Sequence, residues 1–190
     1  SISAAIKRGR GWKFPEGAKP LFSFDMLGEG ARTEKDAQRY QQRYMDAIAV
    51  VAKHRQDGPI TEADGVSVKL SALYPQYHAY KEDEVMEHLY PRVLEQAKAA
   101  RDADIALCLD AEEADRLVIQ MKVLERLSRE PDLADWHGLG LAIQGYQKRC
   151  RDLIERLIKL GRDAGRRFPV RLVKGAYWDT EIKHAQQAGV

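Results

Sequence analysis

Five short apolar segments recur along the chain, and their spacing is the feature that most constrains the fold. Each is four to six residues long, the length of a buried strand. Successive segments begin about 30 to 45 residues apart, the size of one strand–helix unit. The spacing therefore predicts five strands, each followed by a helix. The five segments are Leu21–Met26, Val66–Leu70, Ile105–Leu109, Leu139–Ile143 and Val170–Val173.

Helical patterns fill the intervals between these segments. Thr33 and Asp36 form a capping box that predicts the start of the first helix. Pro91 is expected to kink the second helix or to restart it, and Gly161 or Gly165 is expected to end the fourth. Apolar residues at helical spacing mark the four helices: Tyr44, Ile48 and Val51; Val85, Leu89, Leu94 and Ala97; Leu117, Met121, Leu124 and Leu127; and Leu153, Ile154, Leu157 and Ile158.

Strand–helix alternation of this kind predicts a parallel sheet with right-handed crossovers. No G-x-G-x-x-G turn follows any strand, which favours a barrel over an open doubly wound sheet. A full barrel takes about 250 residues and eight strands. A fifth helix is expected to begin at Asp179 or Thr180 and to be cut short near Val190. The predicted fold class is thus α/β, a (β/α)8 TIM-type barrel truncated after its fifth strand.

The chain divides accordingly into an N-terminal arm over residues 1–20 and a partial barrel over 21–190. Because it opens at Ser1 and not at a methionine, we expect it to be a segment of a longer protein. Of its 190 residues 44% are hydrophobic, ample for a packed core, and the net charge is only +2. The one basic run is too short to indicate a nucleic-acid partner and predicts a solvated arm. It consists of Lys7, Arg8, Arg10 and Lys13.

The cysteines and histidines point to no metal. Cys108 and Cys150 lie far apart and form no metal-binding spacing, so we expect two reduced thiols in a cytoplasmic protein. The five histidines form no cluster, and no apolar run approaches the roughly 20 residues that span a bilayer.

In a barrel, function gathers where the strands end at their carboxyl side. Polar residues occupy that position in all five predicted units, so a lysine, two carboxylates, an amide and an arginine are expected to converge on one rim. These residues are Asp25, Lys69, Asp110, Gln144, and Arg171 with Lys174.

Three of these residues, Lys69, Asp110 and Gln144, each have two interpretations. Lys69 alternates with apolar neighbours and is expected to point into the barrel, where it needs either an ion pair with Asp110 or an anionic ligand. Asp110 stands before a helix, and that position favours an N-cap. The amide of Gln144 can contact a polar ring edge or satisfy backbone groups at the strand end, and the residues alone favour the second.

The densest feature is the string RLVKGAYW, residues 171–178. Arg171 and Lys174 supply positive charge among apolar residues, Gly175 permits close backbone approach, and Tyr177 and Trp178 can form a wall. This combination suits a flat anionic ligand better than it suits a buried strand with flanking salt bridges.

Five strings resemble one known family, in its order and at similar intervals. FSFDMLGEGA, SVKLSALYPQY, LCLDAEEADR, LAIQGYQKR and FPVRLVKGAYWDTEIKHAQ closely resemble the proline dehydrogenase domain of the bifunctional proline utilization A family. The resemblance covers nearly the whole chain from Leu21. It implies a barrel that holds FAD without a Rossmann fold and oxidises L-proline to pyrroline-5-carboxylate by hydride transfer to flavin N5. It also implies electron transfer to membrane quinone, and a cytoplasmic parent protein that associates peripherally with the membrane.

The resemblance also implies roles for individual residues. Lys69 would lie beside the substrate carboxylate, Asp110 would order the polar network, Gln144 would contact the flavin ring, and Arg171 would donate toward flavin N5. The remaining implied contacts are Val173, Lys174, Gly175 and Ala176 along the cofactor with Trp178 nearby, and Leu172 and Tyr177 as walls of the proline site.

The family's last three strands and its closing helix, which carries paired arginines for the proline carboxylate, have no counterpart here. We therefore expect these 190 residues alone to bind FAD weakly or not at all, with an unpaired edge on the fifth strand. Three alternatives stay open: a barrel aldolase that forms a Schiff base on Lys69 or Lys174, a flavin-dependent folate reductase, and a non-catalytic scaffold completed by another chain.

Overall fold

The computed structural model describes residues 2–14, 20–26, 28 and 30–189. All five predicted strands are present in one sheet, and each neighbouring pair is parallel, in the order of the chain. This confirms the predicted α/β class. The strands are β1 (Ser23–Asp25), β2 (Gly65–Val68), β3 (Ala106–Leu109), β4 (Leu139–Gln144) and β5 (Val170–Val173).

Seven helices accompany the sheet in the described part of the chain, most of them between consecutive strands. Two short 3-10 turns, Leu70–Ala72 and Ala114–Arg116, follow β2 and β3 and shape the rim. The helices are α1 (Ile2–Arg10), α2 (Glu34–Lys53), α3 (Glu82–His88), α4 (Tyr90–Asp102), α5 (Leu117–Ser128), α6 (Cys150–Asp163) and α7 (Trp178–Ala188).

The predicted helix signals act where the sequence places them. The Thr33 hydroxyl accepts a hydrogen bond from the Asp36 backbone while the Asp36 carboxylate accepts one from the Thr33 backbone, so the capping box that starts α2 is confirmed. Pro91 lies in the first turn of α4, which restarts directly after α3. Gly165, with φ of +62°, follows the end of α6, whereas Gly161 is buried inside that helix.

The sheet curls into a half-barrel. A guanidinium nitrogen of Arg171 on β5 lies 2.8 Å from the Ser67 hydroxyl on β2 and 3.4 Å from the Ser23 hydroxyl on β1. In a flat sheet the first and fifth strands would be about 19 Å apart, since neighbouring strands are spaced at about 4.8 Å. One side chain can reach from β5 to β1 and β2 only because the sheet is strongly curled.

The hydrophobic core lies between the convex side of the sheet and the helices. Strand residues alternate, so that bulky side chains face the helices and small or polar ones face the inside of the half-barrel. Val66, Leu107 and Leu139 are fully buried on the helix side. The inner face carries Gly65, Ser67, Ala106, Cys108, Gly140 and Ala142.

The N-terminal segment packs against the rest of the chain through α1, while the four cations of the basic run lie on its exposed side. Ile6 of α1 is 3% exposed, and Gly9 lies against the ring of Phe22. Arg10 forms an ion pair with the buried Asp64 at 2.7 Å. Lys7, Arg8 and Lys13 remain exposed. Residues 1, 15–19 and 190, which belong to the predicted arm and the predicted end of the last helix, lie outside the described residues.

The fifth strand leaves one side of the half-barrel open. Among the described strands β5 pairs with β4 alone. Val170 and Leu172 on its outer face are 45% and 64% exposed, and with Ile154 and Ile158 of α6 they line a groove of about 660 Å³. Within the described residues, none of the helices is both long enough and apolar enough to cross a membrane.

Candidate active site at the carboxyl ends of the strands

A charged cluster is centred on Asp110, directly after β3. One carboxylate oxygen accepts a hydrogen bond from Lys69 at 2.8 Å, and the other accepts one from Arg171 at 2.5 Å. Lys69 also donates to Asp25 at 2.5 Å. The ends of β1, β2 and β3 and the strand β5 are thereby joined through two carboxylates and two cations, and the cluster is formally neutral.

Lys69 is held as a cation. Its side chain is 14% exposed and that of Asp110 is 15% exposed. Burial opposes the charged ammonium, but the hydrogen bonds to Asp110 and Asp25 outweigh it and raise the pKa of Lys69 above its ordinary value. The ion pair that the sequence left open is present. It engages two of the three N–H donors that an ammonium carries.

The backbone at Lys69 is fixed by a buried tyrosine. Lys69 follows the last residue of β2, and its N–H donates to the hydroxyl of Tyr44 at 3.1 Å. Tyr44 projects from α2 and is fully buried, and burial raises the pKa of its phenol, so the hydroxyl stays neutral. A rigid helix therefore sets the position of the lysine.

Asp110 is not an N-cap, and that prediction was wrong. The next helix, α5, begins at Leu117, and a loop and a 3-10 turn separate the two. The carboxylate accepts from the Ala111 backbone at 3.1 Å and is otherwise turned toward the two cations. Gln120, buried in α5, donates to the Asp110 carbonyl at 3.1 Å and so ties the start of this loop to the helix.

Gln144, the last residue of β4, is buried and only half satisfied. Its amide nitrogen donates to the Glu112 carbonyl at 2.7 Å, as expected for a residue that satisfies backbone groups at the strand end. Its amide oxygen has no hydrogen-bond partner among the described residues. A buried unpaired oxygen costs about 1–3 kcal/mol, so this atom calls for a partner, and a ligand with a hydrogen-bond donor is one that would satisfy it.

The alternation of β5 separates the residues of the RLVKGAYW string. Arg171 and Val173 face the inside of the half-barrel, and Arg171 reaches the cluster. Leu172 takes the opposite side and borders the outer groove with Ile143. The structure therefore does not bring Leu172 to the rim, because a strand turns successive side chains to opposite faces.

The remaining residues of the string lie beyond the end of β5, on the same rim. Gly175 has φ of +151°, and a side-chain carbon there would meet the ring of Tyr146 at 2.0 Å, so only glycine fits. The Lys174 carbonyl accepts a hydrogen bond from the Tyr146 backbone at 3.2 Å. Ala176 and Trp178 are exposed, and Tyr177 precedes α7 as its N-cap.

Several residues of the site were not predicted as functional. Ser23 and Ser67 lie 2.7 Å apart on the inner face and hold Arg171. Alternation along β2 gives Ser67 the same face as Lys69, so that signal was readable. Tyr44 carries the pattern of an ordinary core residue, and nothing in the sequence distinguishes Glu112 from Glu113.

A curled parallel β/α sheet with a charged cluster at the carboxyl ends of its strands defines an α/β-barrel protein with its binding site on that rim. The family profile described as "Proline dehydrogenase" matches residues 15–190. The chain belongs to the proline dehydrogenase family.

Individual relatives agree with this assignment. The chain is 51% identical to the bifunctional protein PutA of Klebsiella aerogenes over 169 residues, which is 89% of this chain and 13% of that protein. The crystal structure of Bradyrhizobium japonicum PutA mutant D779Y matches it with a TM-score of 0.88 and 45% identity, over 100% of this chain and 19% of that one. PutA from Bdellovibrio bacteriovorus, inactivated by N-propargylglycine, matches with a TM-score of 0.82 and 28% identity, over 99% and 20%.

Proposed function

We propose that this chain is the part of a proline dehydrogenase that carries the charged cluster of the active site. We propose further that the whole protein oxidises L-proline to pyrroline-5-carboxylate. The observation that supports this most directly is the Asp110 carboxylate between Lys69 and Arg171 at the rim. The chain spans only about 13% of the length of the PutA proteins it matches. The activity is therefore proposed for the whole protein.

FAD is the cofactor that we propose for this site. When bound, FAD supplies the acceptor for the hydride removed from proline. The chain offers it a buried amide oxygen at Gln144 and a guanidinium at Arg171. The proposed contact at Gly175 is through its backbone, because the ring of Tyr146 fills the space that a side chain there would need. The other proposed contacts are Val173, Lys174, Ala176 and Trp178.

The charged residues have separable tasks in this proposal. Lys69, held protonated, would donate its third N–H to the carboxylate of proline. Asp110 fixes both cations by one hydrogen bond to each oxygen, so that neither has to reorganise when ligands bind. Arg171 keeps positive charge on the inner face. Tyr177 would form a wall of the proline site, but Leu172, on the outer face, is left out.

The net charge of the cluster affects how well this chain alone can bind FAD and proline. Because two carboxylates offset two cations, the cluster offers no net positive charge to the carboxylate of proline. The open side beyond β5 also leaves Val170 and Leu172 without cover. We propose that the 190 residues alone bind FAD and proline weakly or not at all, and that chain beyond this segment supplies the missing charge and cover.

The setting of the whole protein follows from the family in the same way. We propose a cytoplasmic protein, peripherally associated with the membrane, that passes its electrons to quinone. The chain has 31 basic and 29 acidic residues, so its charge is nearly balanced. Because a nucleic-acid partner calls for an excess of basic residues on one face, we propose no such partner for this segment.

The test is a visible absorption spectrum taken without oxygen. Purified chain is mixed with FAD, freed of excess and then given proline, alone and after addition of the polypeptide that follows the matched region in Klebsiella aerogenes PutA. Flavin bands that appear only in the mixture, bleach with proline and fail to bleach after N-propargylglycine treatment would support the proposal. A mixture that retains flavin but never bleaches with proline would reject the activity and favour a plain scaffold.

A further inference from the structure

Glu112, in the loop after β3, is a buried carboxylate that the proposed chemistry does not use. It is 6% exposed, and burial raises its pKa, although hydrogen bonds from Ser71 and the nearby Arg116 oppose the shift. One carboxylate oxygen accepts from the Ser71 backbone at 3.0 Å, and the other lies 3.4 Å from Arg116. Burial of a carboxylate is costly unless it is hydrogen-bonded or paired with a cation, and Glu112 has both kinds of partner.

Through Ser71 this carboxylate holds the loop that follows β1. Ser71 lies in the 3-10 turn after β2 and is buried. Its hydroxyl accepts from the Gly30 backbone at 3.1 Å, and its carbonyl accepts from the Ala31 backbone at 2.8 Å. Glu112 therefore ties the loops after β1, β2 and β3 to one another.

The backbone carbonyl of Glu112 reaches the fourth strand. It accepts the hydrogen bond from the amide nitrogen of Gln144, and that bond decides which way the amide is turned. With its nitrogen occupied, the amide of Gln144 leaves its buried oxygen as the atom that has no partner among the described residues. A planar ring with an N–H donor would find a fixed acceptor there.

We propose that Glu112 is a positioning residue that locks the amide of Gln144 with its oxygen turned toward the ligand. The proposal rests on the proposed function, since the ring N–H that it would serve is that of the flavin. The carboxylate acts indirectly. Its hydrogen bond with Ser71 fixes the loop after β3, and the backbone carbonyl of Glu112 in that loop then holds the side-chain amide of Gln144. Removal of the carboxylate frees the loop and leaves the amide able to rotate.

The first experiment needs no cofactor. Backbone amide exchange at Gly30 and Ala31, and the side-chain amide signals of Gln144, are followed by NMR in the full 190-residue chain. Glu112→Ala is expected to speed exchange at both amides at least tenfold and to broaden or shift the Gln144 signals. Glu112→Gln, which keeps an acceptor for Ser71, is expected to stay within twofold of wild type. An unchanged Gln144 signal in Glu112→Ala would overturn the proposal.

Two variants separate positioning from general loss of stability. Leu133→Ala removes a fully buried side chain from the 3-10 turn Pro131–Leu133, away from the rim. It is expected to lower the unfolding midpoint and to leave the Gln144 signals unchanged. Glu113→Gln alters the neighbouring carboxylate, which pairs with Arg116, and is expected to leave Gly30 and Ala31 protected. If Leu133→Ala reproduces the effects of Glu112→Ala, the positioning role is rejected.

A double-mutant cycle then tests the link to the flavin. FAD affinity is measured by the quenching of flavin fluorescence in the completed barrel, which is this chain mixed with the polypeptide that follows the matched region in Klebsiella aerogenes PutA. Glu112→Ala and Gln144→Ala are each expected to weaken FAD about tenfold, and the double variant is expected to be no weaker than Gln144→Ala. Additive losses would reject action through Gln144. If wild type binds no FAD in the completed barrel, the proposed function fails, while the exchange result still decides whether Glu112 positions Gln144.

Discussion

The guanidinium of Arg171, on the fifth strand, lies 2.8 Å from the hydroxyl of Ser67, on the second strand. The same guanidinium donates to Asp110 at 2.5 Å. The residue that spans the curled sheet is therefore also the residue that brings positive charge to the rim. The side chain that bridges the curled sheet also contributes to the charged cluster, so a change at Arg171 should affect both sets of contacts.

Arg171→Lys tests this dual role. An ammonium is a point charge and cannot hold Ser67 and Asp110 in the fork geometry of a guanidinium. We expect a loss of about 1–2 kcal/mol in the free energy of unfolding, measured by urea denaturation, because the two hydrogen bonds donated by the charged guanidinium cannot both be kept at this partly exposed site. Arg167→Lys, at an exposed position, is the control and should change stability by less than about 0.5 kcal/mol. Equal effects of the two substitutions would contradict the role given to Arg171.

The two carboxylates that contact Lys69 should differ in importance. Asp110→Asn leaves two cations without their shared partner at a site where Asp110 is 15% exposed, and we expect a loss of about 2 kcal/mol, after allowance for partial solvent screening. Asp25 is 41% exposed, and Asp25→Asn should cost less than about 1 kcal/mol. Urea midpoints of the two variants decide, and a larger loss for Asp25→Asn would show that Asp110 is not the centre of the cluster.

The sequence predicted the sheet well because apolar segments and their spacing report directly on buried strands. All five strands, the capping box at Thr33 and the restart at Pro91 were readable for that reason. The N-cap at Asp110 was predicted wrongly, because the length of the loop before α5 depends on the 3-10 turn, which leaves no clear signal in the residues. Glu112 was missed because two of its partners, Ser71 after β2 and Gln144 at the end of β4, meet it only in the folded chain.

Leu172 shows the limit of a motif. The family resemblance implied that Leu172 walls the proline site, next to Arg171 in the same string. The strand turns the two side chains to opposite faces, and Leu172 ends 64% exposed on the outer side. Alternation along β5 was predictable, but which face is the inner one depends on the curl of the whole sheet.

Cys108 is expected to be a slow thiol. It lies on the inner face of β3, and burial raises its pKa to about 11, with Arg171 only partly opposing the shift. At pH 8 about one thiol in a thousand would be ionised, compared with about a quarter for an ordinary cysteine. Alkylation by iodoacetamide, followed by mass spectrometry of the peptide that contains Cys108, should be at least 100-fold slower in the folded chain than in urea. Equal rates would show that the thiol is not desolvated.

Lys69 is not expected to form a Schiff base, which separates the proposed function from a barrel aldolase. A nucleophilic lysine has to lose its proton, and the hydrogen bonds to Asp110 and Asp25 raise the pKa of Lys69 even though burial opposes this. Borohydride treatment at pH 7.5 with a small aldehyde should label exposed lysines such as Lys7 and Lys13 at least tenfold faster than Lys69, and should label Lys174 no faster than those two. Preferential labelling of Lys69 would favour the aldolase.

Glu112 should make stability depend on pH in a direction opposite to that of a carboxylate whose pKa is lowered on folding. Because burial raises its pKa in the folded chain, the folded state holds the proton more tightly than the unfolded state does. The contribution of Glu112 to stability is then fully present below the ordinary glutamate pKa of about 4.3 and is lost as the pH rises through the raised value.

Glu112→Gln cannot ionise and provides the matched comparison. The stability of wild type relative to Glu112→Gln should be greatest at pH 4 and should fall as the pH rises to 7, since only wild type has to lose or bury a charge there. Urea denaturation of both chains at pH 4, 5.5 and 7 measures this difference, and other titrating groups are common to both. A difference that is constant with pH, or that grows in favour of wild type as the pH rises, would mean that Glu112 is ionised at no cost and that its hydrogen bonds outweigh its burial.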